Sequence, residues 1–407
     1  MTTSRKKPHK VTSGRLLRLA RAATAAPDES GNNAERLARV LGQCLTAGAE
    51  DLITEAMAHA AAREEYDVVA IINDLADEES MSIFGDDGAG APPGISQLYA
   101  LPVMFSATAA VQIDSVIPDT PAYAAFARYV QQMVVLPDTE SAVVRTIPYL
   151  YSIDELRMLS RTQVRTVLQR LVRADDALLG PDLGQSPESA RVPEGRIVLR
   201  YLLVGVNNEV TPAPFEAHAA TVVDALREEG SCAWFPEMAT LVTAMIGIPA
   251  EPVSTLVYYP DMYFGAVTSG LVRYAETKLG AGIYAILRAN GIAPRGTTAA
   301  ITPHGDEEPG ITQVRVALLS RGDGSFLGGV IRPLYEFEDS AEAMSATQQM
   351  LAAIGIYASA VSDRTYSDGV CQTCGDPFFI TPTGLDHDHD HDDMSAPPAP
   401  SVPPTLH

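Results

Sequence analysis

Cysteine, lysine and long apolar runs are all scarce in this chain of 407 residues. The four cysteines are too few for a disulfide framework in a chain of this length. No apolar segment follows the basic N-terminus, and no run of about 18 apolar residues is present that would cross a membrane. Only four basic residues are lysines and 25 are arginines, which is typical of GC-rich bacterial coding. These absences predict a cytoplasmic protein with reduced cysteines and without a membrane span.

Positive charge is also in deficit, because 29 Lys and Arg face 51 Asp and Glu, for a net charge of −22. A surface this acidic argues against nucleic-acid binding through the bulk of the protein. Seven of the basic residues fall in the first 21 positions, which contain no acid. Leucines among these arginines are typical of a short amphipathic helix that would touch a membrane, RNA or an acidic partner. We favour the alternative, in which residues 1–32 form a basic, flexible arm or fold back on the acidic surface.

The common catalytic motifs are missing as well. The sequence contains no G-x-S-x-G elbow, no H-E-x-x-H motif, no Walker A loop, no EF-hand loop and no kinase signature. His218 and His304 have no nucleophile pattern beside them. We interpret His218 as a packed or surface residue of a helix, and His304 as a solvated residue of the acidic loop 303–309. An enzyme stays an open alternative, but the sequence leans against it.

Hydrophobic periodicity predicts the fold class. Apolar residues recur at helical spacing over residues 33–84, which indicates a helical N-terminal region, and the glycine-rich stretch 85–94 is the linker candidate. Beyond it, short apolar runs alternate with amphipathic helices, as in a mixed α/β (or α+β) body with segments at 95–180 and 195–369. The predicted strands cover 98–105, 142–150, 197–206, 253–259, 313–320 and 326–333.

Local signals refine this body. Ser152 and Glu155 match a capping box at the start of a helix, and glycines in the sequence 320–325 predict a hairpin turn. Longer helices are predicted at 262–289, with a break at its two central glycines, and at 340–354. Three strand–loop–helix stretches of similar length leave open a duplicated strand–helix unit.

Three arginines, Arg157, Arg161 and Arg165, recur along one side of the helix that follows the capping box. Such a row could bind phosphate, RNA or an acidic peptide, because each guanidinium presents a fixed fork of donors. In so acidic a chain, pairing with the protein's own Asp and Glu residues is the simpler interpretation, and we favour it.

The sharpest local signal is the motif Cys371-Gln-Thr-Cys374-Gly375 within residues 370–383. Two thiolates separated by two residues converge on one side of a tight turn, as in a zinc knuckle, and glycine allows the positive φ that such a turn needs. Redox chemistry would instead favour a cysteine at a helix N-terminus, and the Gly-Asp-Pro that follows disfavours a helix. The motif supplies half a site, since structural zinc usually takes four protein ligands.

Three completions of this half-site are open: Cys44 or Cys232 with a histidine, the same pair from a second chain, or the histidines downstream. The last is the most concrete, because His387, His389 and His391 alternate with aspartates in the otherwise disordered tail 384–407, and both residue types bind Zn or Ni. In an extended tail neighbouring imidazoles would stand about 6.7 Å apart. This spacing is too large for them to bind one ion, because metal–nitrogen bonds are about 2.1 Å long. The tail must therefore curl to chelate.

The strand-like stretch 313–320, the run 328–334, the helix that follows and the motif Cys-x-x-Cys-Gly-x-Pro-x-Phe ending at Phe379 resemble an uncharacterised family of cytosolic bacterial proteins. The resemblance implies the compartment and the C-terminal turn, and it implies no activity. The leading hypothesis is a cytoplasmic binding or regulatory scaffold protein with a zinc knuckle and a protein partner or second copy of itself. The alternatives are a Zn- or Ni-handling protein that uses the His-Asp tail, and an enzyme whose site no motif reveals.

Overall fold

The structure, a computed structural model, describes residues 11–25, 31–84, 94–118, 120–134, 143–172, 190–192, 194–208, 236–247, 253–306, 310–382 and 384–386. Contacts divide the chain into two compact units, residues 1–270 and 271–407. The expected break between segments 95–180 and 195–369 falls mostly outside the described residues, so that division stays a prediction. The predicted mixed α/β fold class is confirmed, since the described chain contains helices together with two larger sheets.

The first unit begins with four helices, after which strands and helices are interspersed. Its helices are α1 (Ser13–Ala25), α2 (Gly31–Thr46), α3 (Glu50–Ala61), α4 (Tyr66–Met81), α5 (Pro121–Val134), α6 (Ile153–Arg157), α7 (Arg161–Val172), α8 (Pro236–Met245) and the start of α9 (Tyr263–Ala289). Its strands are β1 (Ser82–Phe84), β2 (Ile95–Ala107), β3 (Val111–Ile113), β4 (Val143–Thr146), β5 (Ala190–Val192), β6 (Ile197–Asn208), β7 (Val253–Val257) and β8 (Asp261–Met262).

Helices α1 to α4 pack around a core of small and branched apolar residues. Helix α1 contributes Leu16, Leu17, Ala20 and Ala23, which are all buried along one face. Arg21 of the same helix pairs with Glu65 at 2.8 Å. The described part of the basic N-terminal segment therefore differs from the flexible arm that we expected, because its leucines and alanines form an amphipathic face that the other helices cover.

The larger sheet of the first unit is antiparallel throughout. Strand β2 pairs with β6 along one edge and with β1, β8 and β7 in turn along the other, and β4 extends the sheet beyond β6. Helices α5 and α8 cover one face through Phe126, Val130, Met238 and Val242. On the other face, the Tyr201 hydroxyl donates to the carbonyl of Val267 in α9, at 3.1 Å.

Helix α7 packs against the helical core and carries Arg161 and Arg165 of the predicted row, whereas Arg157 ends the separate helix α6. Arg161 Nε lies 2.6 Å from Asp77, and Arg165 faces the Glu79 carboxylate at 3.8 Å. The Glu50 carboxylate accepts the backbone N–H groups of Arg161 and Thr162, which begin the helix. Intramolecular pairing, the interpretation favoured above, is thus confirmed for these two arginines.

The second unit is a four-stranded sheet with helices on one face. It contains the end of α9, a 3-10 turn (Pro294–Gly296), β9 (Thr297–Asp306), β10 (Gly310–Ser320), β11 (Phe326–Pro333), α10 (Ser340–Ile354), β12 (Ala358–Val361), β13 (Phe379–Thr381) and β14 (Gly384–Asp386). The strand order is β11-β10-β9-β12, antiparallel except that β12 runs parallel to β9. Helices α9 and α10 cover the face that carries Ile301, Val316 and Leu318.

Several local predictions agree with this unit, and others do not. Strand β11 and helix α10 have the expected bounds, and the hairpin turn lies between β10 and β11. Helix α9 continues through Gly280 and Gly282 without the expected break, because Gly282 lies close against Val330, where a larger residue would not fit. Strands β9 and β12 were not predicted, and β14 occupies the first three residues of the segment that we expected to be disordered.

No described helix has the length and apolar character that a membrane span requires.

Candidate metal-binding site

The second sheet has one face covered by helices and an opposite face covered by the C-terminal segment. On this opposite face Ala300, Ala317 and Phe379 are buried together, with Phe326 and Ile331 against them. The Phe379 ring lies directly over Gly329, where any Cβ would overlap it. The absence of a side chain at this position lets the C-terminal segment lie flat on the sheet.

Arg315 fastens the C-terminal segment to the sheet. It points from the middle of β10 into the covered face and is 2% exposed. Its Nη1 donates to the carbonyl of Gly369 at 2.9 Å and to the carbonyl of Phe378 at 2.6 Å. One guanidinium nitrogen therefore holds two backbone positions nine residues apart in sequence.

Asp368 balances the charge of this buried arginine. Its carboxylate lies 3.6 Å from Arg315 Nη2 and accepts hydrogen bonds from the Thr312 hydroxyl, at 2.9 Å, and from the Gln313 amide. Burial lowers the pKa of Arg315, and Asp368 raises it. Since arginine keeps its proton in proteins, the buried group stays a cation and retains its donors.

His304 lies beside Arg315 on the same face, not in a solvated loop as expected from the acidic residues after it. It belongs to β9 and is 2% exposed. Its Nδ1–H donates to the carbonyl of Ser367 at 3.0 Å, and its Nε2 accepts from the Thr302 hydroxyl at 3.0 Å. Burial lowers the pKa of His304 to about 4, although the Ser367 carbonyl opposes this shift. The imidazole is neutral and both nitrogens are engaged, so its role is structural.

Residues 369–378, named here the cysteine loop, form a closed hairpin above this face. The contacts that close it join Phe378 N to Gly369 O at 3.1 Å, Cys371 N to Asp376 O at 2.7 Å, and Val370 to Pro377 through an antiparallel bridge. The ends of the loop are therefore held both by each other and by Arg315.

The two cysteines occupy the tip of the loop. The Gly375 amide donates to the Cys371 carbonyl at 2.8 Å, and Gly375 has a φ of 81°, a conformation that favours glycine. Cys371 is 6% exposed, whereas Cys374 is exposed. The expected tight turn with a glycine of positive φ is present.

The surroundings of Cys374 keep its thiol protonated at neutral pH. Desolvation in the turn raises the pKa of Cys374, a hydrogen bond from the Asp376 amide lowers it, and the Asp376 carboxylate and the Cys371 thiol raise it. Neither cysteine begins a helix, so the electrostatic features of a reactive redox cysteine are not found here.

The family described as a protein of unknown function, DUF2863, matches residues 2–397. The chain belongs to this family. The resemblance noted in the C-terminal quarter is thereby confirmed and extends over nearly the whole sequence. No curated protein and no solved structure matches the chain. Membership in the DUF2863 family carries no activity, so the chemistry of the site must be argued from its own residues.

The structure brings together two of the five predicted metal ligands, Cys371 and Cys374. The other three, His387, His389 and His391, lie outside the described residues. Within the described ranges, no group of three or more His, Cys, Asp or Glu residues could hold a metal ion. A completion by Cys44 with a described histidine therefore has no support: this thiol belongs to the core of α2, and burial raises its pKa.

Strand β14 directs the chain back toward the cysteine loop. It runs antiparallel to β13, with Gly384 opposite Thr381 and Asp386 opposite Phe379. Phe379 directly follows the last residue of the loop. Strand β14 therefore ends at Asp386 beside the cysteine loop, at the open end of the β13–β14 hairpin.

Sequence reasoning missed Arg315 and Asp368, the residues that hold the loop. A signal was present, because Arg315 interrupts the otherwise apolar strand sequence Val-Arg-Val-Ala-Leu-Leu. A charged residue on the buried side of a strand requires partners. Its partners lie more than 50 positions later in the sequence, and no local pattern identifies them.

Proposed function

We propose that the protein acts by binding, and that its C-terminal segment holds a zinc ion between the thiolates of Cys371 and Cys374 and two imidazoles from His387, His389 and His391. The observation that carries this proposal is the two-cysteine turn, closed by its own backbone hydrogen bonds and fastened to the sheet by Arg315. Such a turn presents both sulfurs without further folding.

The residues of the loop suit a zinc ion. Zinc accepts two thiolates and two imidazoles in tetrahedral structural sites, at metal–sulfur distances of about 2.3 Å. A Cys-x-x-Cys turn followed by glycine provides the first pair. Zinc binding would displace the thiol protons, since the metal binds the thiolate form.

The direction of β14 supports completion by the same chain. Asp386 lies opposite Phe379, beside the end of the cysteine loop. His387, His389 and His391 follow one, three and five residues later, and at roughly 3.6 Å per residue the last is within roughly 18 Å of chain from Asp386. The tail is therefore long enough to curl over the loop and place two imidazoles near the sulfurs.

We further propose that the zinc site belongs to a cytoplasmic binding or regulatory scaffold whose partner is another protein or a second copy of this chain. Cys374 and Val370, which directly precedes Cys371 and is 52% exposed, lie on the surface of the loop. A zinc-fixed loop with an exposed apolar residue is suited to contact a partner, as at other protein interfaces with apolar anchors.

The Zn- or Ni-handling hypothesis makes a different prediction from the same residues. A tail that buffers metal would bind several ions and would not need the cysteines, because alternating His and Asp residues are competent ligands by themselves. The stoichiometry and its dependence on Cys371 and Cys374 separate the two proposals.

The test is the zinc content and zinc affinity of the untagged full chain, purified under reducing conditions, measured by elemental analysis and by competition with a chromophoric chelator. Three variants are compared with it: Cys371→Ser with Cys374→Ser, the triple change of His387, His389 and His391 to Asn, and a chain that ends at Asp386, so that β14 is retained.

We expect one zinc per full chain and a loss of tight binding in all three variants. Half an equivalent that survives removal of the tail would instead indicate a site shared by two chains. Several ions that depend on the tail but not on the cysteines would favour metal handling. Absence of zinc from the full chain after incubation with Zn²⁺ would refute the metal site.

A further inference from the structure

We infer that Arg315 is a positioning residue for the proposed metal site, because its guanidinium holds both ends of the cysteine loop and so fixes the distance and orientation of the two thiols. The inference rests on the proposed zinc site. The described hydrogen bonds of Arg315 go to backbone carbonyls of the loop and not to either sulfur, so the arginine acts through the backbone.

The contacts of Arg315 are placed at the two points where the loop leaves the sheet. Gly369 precedes Cys371 by two residues, and Phe378 follows Cys374 by four. Both carbonyls accept from the same Nη1, at 2.9 and 2.6 Å. Because the two carbonyls share one donor atom, the ends of the loop cannot separate or slide without breaking at least one of these bonds.

The arginine itself is held rigidly. It is 2% exposed, and Asp368, immediately before the loop, faces its second terminal nitrogen. The Thr312 hydroxyl on the same strand anchors Asp368 in turn. A chain of contacts thus runs from β10 through Arg315 to the loop, and outer partners of this kind orient metal ligands and typically contribute 10–100-fold to metal affinity.

Lysine cannot replace this arrangement. An ammonium group keeps the positive charge beside Asp368, but it is a flexible point donor without the planar fork of the guanidinium. Arg315→Lys therefore preserves the charge of the site and removes the rigid connection between the two carbonyls.

The same sheet contains a matched control. Arg332 on β11 is 1% exposed, and its Nη2 pairs with Glu338 at 2.5 Å. Its register partner is Val314, which belongs to the helix-covered face, so Arg332 lies on the side of the sheet opposite the cysteine loop. Arg332→Lys changes an equally buried arginine of the same unit without touching the loop.

The experiment compares Zn²⁺ affinity, by competition with a chromophoric chelator, and the thermal midpoint of the full-length wild type, Arg315→Lys and Arg332→Lys. Amide hydrogen exchange of the metal-free proteins reports the order of the loop through the N–H groups of Cys371, Gly375 and Phe378.

We expect Arg315→Lys to weaken zinc binding by about 10-fold or more and to speed exchange of the loop amides. Arg332→Lys should change zinc affinity by less than about 3-fold, even where the thermal midpoint falls. A larger loss of zinc affinity in Arg315→Lys than in Arg332→Lys would show that Arg315 positions the thiols, because a general loss of stability would lower the affinity of both variants.

Two results would overturn the inference while the zinc site stands. One is a wild type that binds zinc through its cysteines together with an Arg315→Lys variant of equal affinity. The other is an equal loss of affinity in both lysine variants. A wild type that binds no zinc overturns the proposed function and this inference together, and the loop exchange data would then show Arg315 as a purely structural residue.

Discussion

Two buried arginines, Arg165 in the first unit and Arg315 in the second, make the same contact in different settings. In each, one Nη1 atom donates to two backbone carbonyls: those of Glu79 and Ser82 for Arg165, and those flanking the cysteine loop for Arg315. The shared geometry shows that one guanidinium can hold two backbone positions that lie far from the arginine in sequence.

The surroundings of the two arginines differ. Arg165 also donates to the Thr46 hydroxyl and faces Glu79, whose side chain is only 11% exposed. It thus connects α2, α4, β1 and α7 around a buried carboxylate. Arg315 faces Asp368, whose side chain is 34% exposed. The same contact therefore contributes mainly to the stability of a core in the first unit, and to the geometry of a surface loop in the second.

The largest expected effect is that of Arg165→Met. Removing this cation leaves the buried carboxylate of Glu79 without its counter-charge, and loss of one member of a buried pair typically costs about 3–5 kcal/mol. Hydrogen exchange of the helical peptides, or urea unfolding followed by circular dichroism, measures the loss. The double variant Arg165→Met with Glu79→Gln should recover part of it.

Arg161→Met is the matched control in the same helix. Its partner Asp77 and Arg161 itself are about one-fifth exposed, at 24% and 19%, so the expected loss is about 1 kcal/mol. Equal losses at the two positions would contradict the distinction between a fully buried arginine and a partly exposed one. Zinc affinity should be unchanged in both variants.

The second expected effect is a pH dependence of the second unit that arises from His304. The pKa of His304 is lowered to about 4, whereas an unfolded histidine has an ordinary value near 6.5. Below pH 6.5 the unfolded chain binds a proton that the folded chain refuses, so stability falls as the pH drops from about 6.5 to about 4, by roughly 2–3 kcal/mol in total. Hydrogen exchange of β9 and β10 peptides between pH 4 and 7 checks this.

A His304→Gln variant supplies the control for that titration. Glutamine does not titrate, so the variant should be less stable than wild type at pH 7 and should lose the part of the pH slope that histidine causes. A variant with an unchanged slope in the second unit would show that other groups produce it.

The smallest expected effects concern two glycines of the second unit, and they have opposite signs. Gly329→Ala places a Cβ within the Phe379 ring and should destabilise the cover of the loop face by about 1–3 kcal/mol. Gly280→Ala lies within α9, where the nearest atom is Met350 Sδ at 3.7 Å, and should stabilise by about 0.5–1 kcal/mol. Thermal unfolding of both variants measures the contrast, and a destabilising Gly280→Ala would contradict it.

Elements with strong local patterns were predicted well. The capping box of Ser152 and Glu155 forms with both of its hydrogen bonds, and α10 begins after its Asp339 N-cap and ends at Gly355, whose φ is 103°. Strand β11 and the turn before it also agree, because alternating apolar residues and a glycine-rich turn are visible in a short window of sequence.

Elements that depend on distant partners were missed. Strand β9 contains His304 and a proline, and its acidic end looked like a loop. Strands β12 and β14 are only four and three residues long, so they have too little periodicity to be recognised. Their backbone hydrogen bonds exist only because β9 and β13 are already in place beside them.

The features of the candidate site likewise divide into those that the sequence predicts and those that depend on distant contacts. The sequence by itself determined the Cys-x-x-Cys-Gly turn, the acidic surface, the helical N-terminal region and the mixed α/β body, because each follows from residue type and spacing over a few positions. Only the tertiary structure decided that α1 is part of a core, that His304 is buried, and that Arg315 holds the cysteine loop at both ends. The contacts of His304 and Arg315 with the C-terminal segment join residues more than 50 positions apart, and burial in the folded chain is what makes their charges and hydrogen bonds matter.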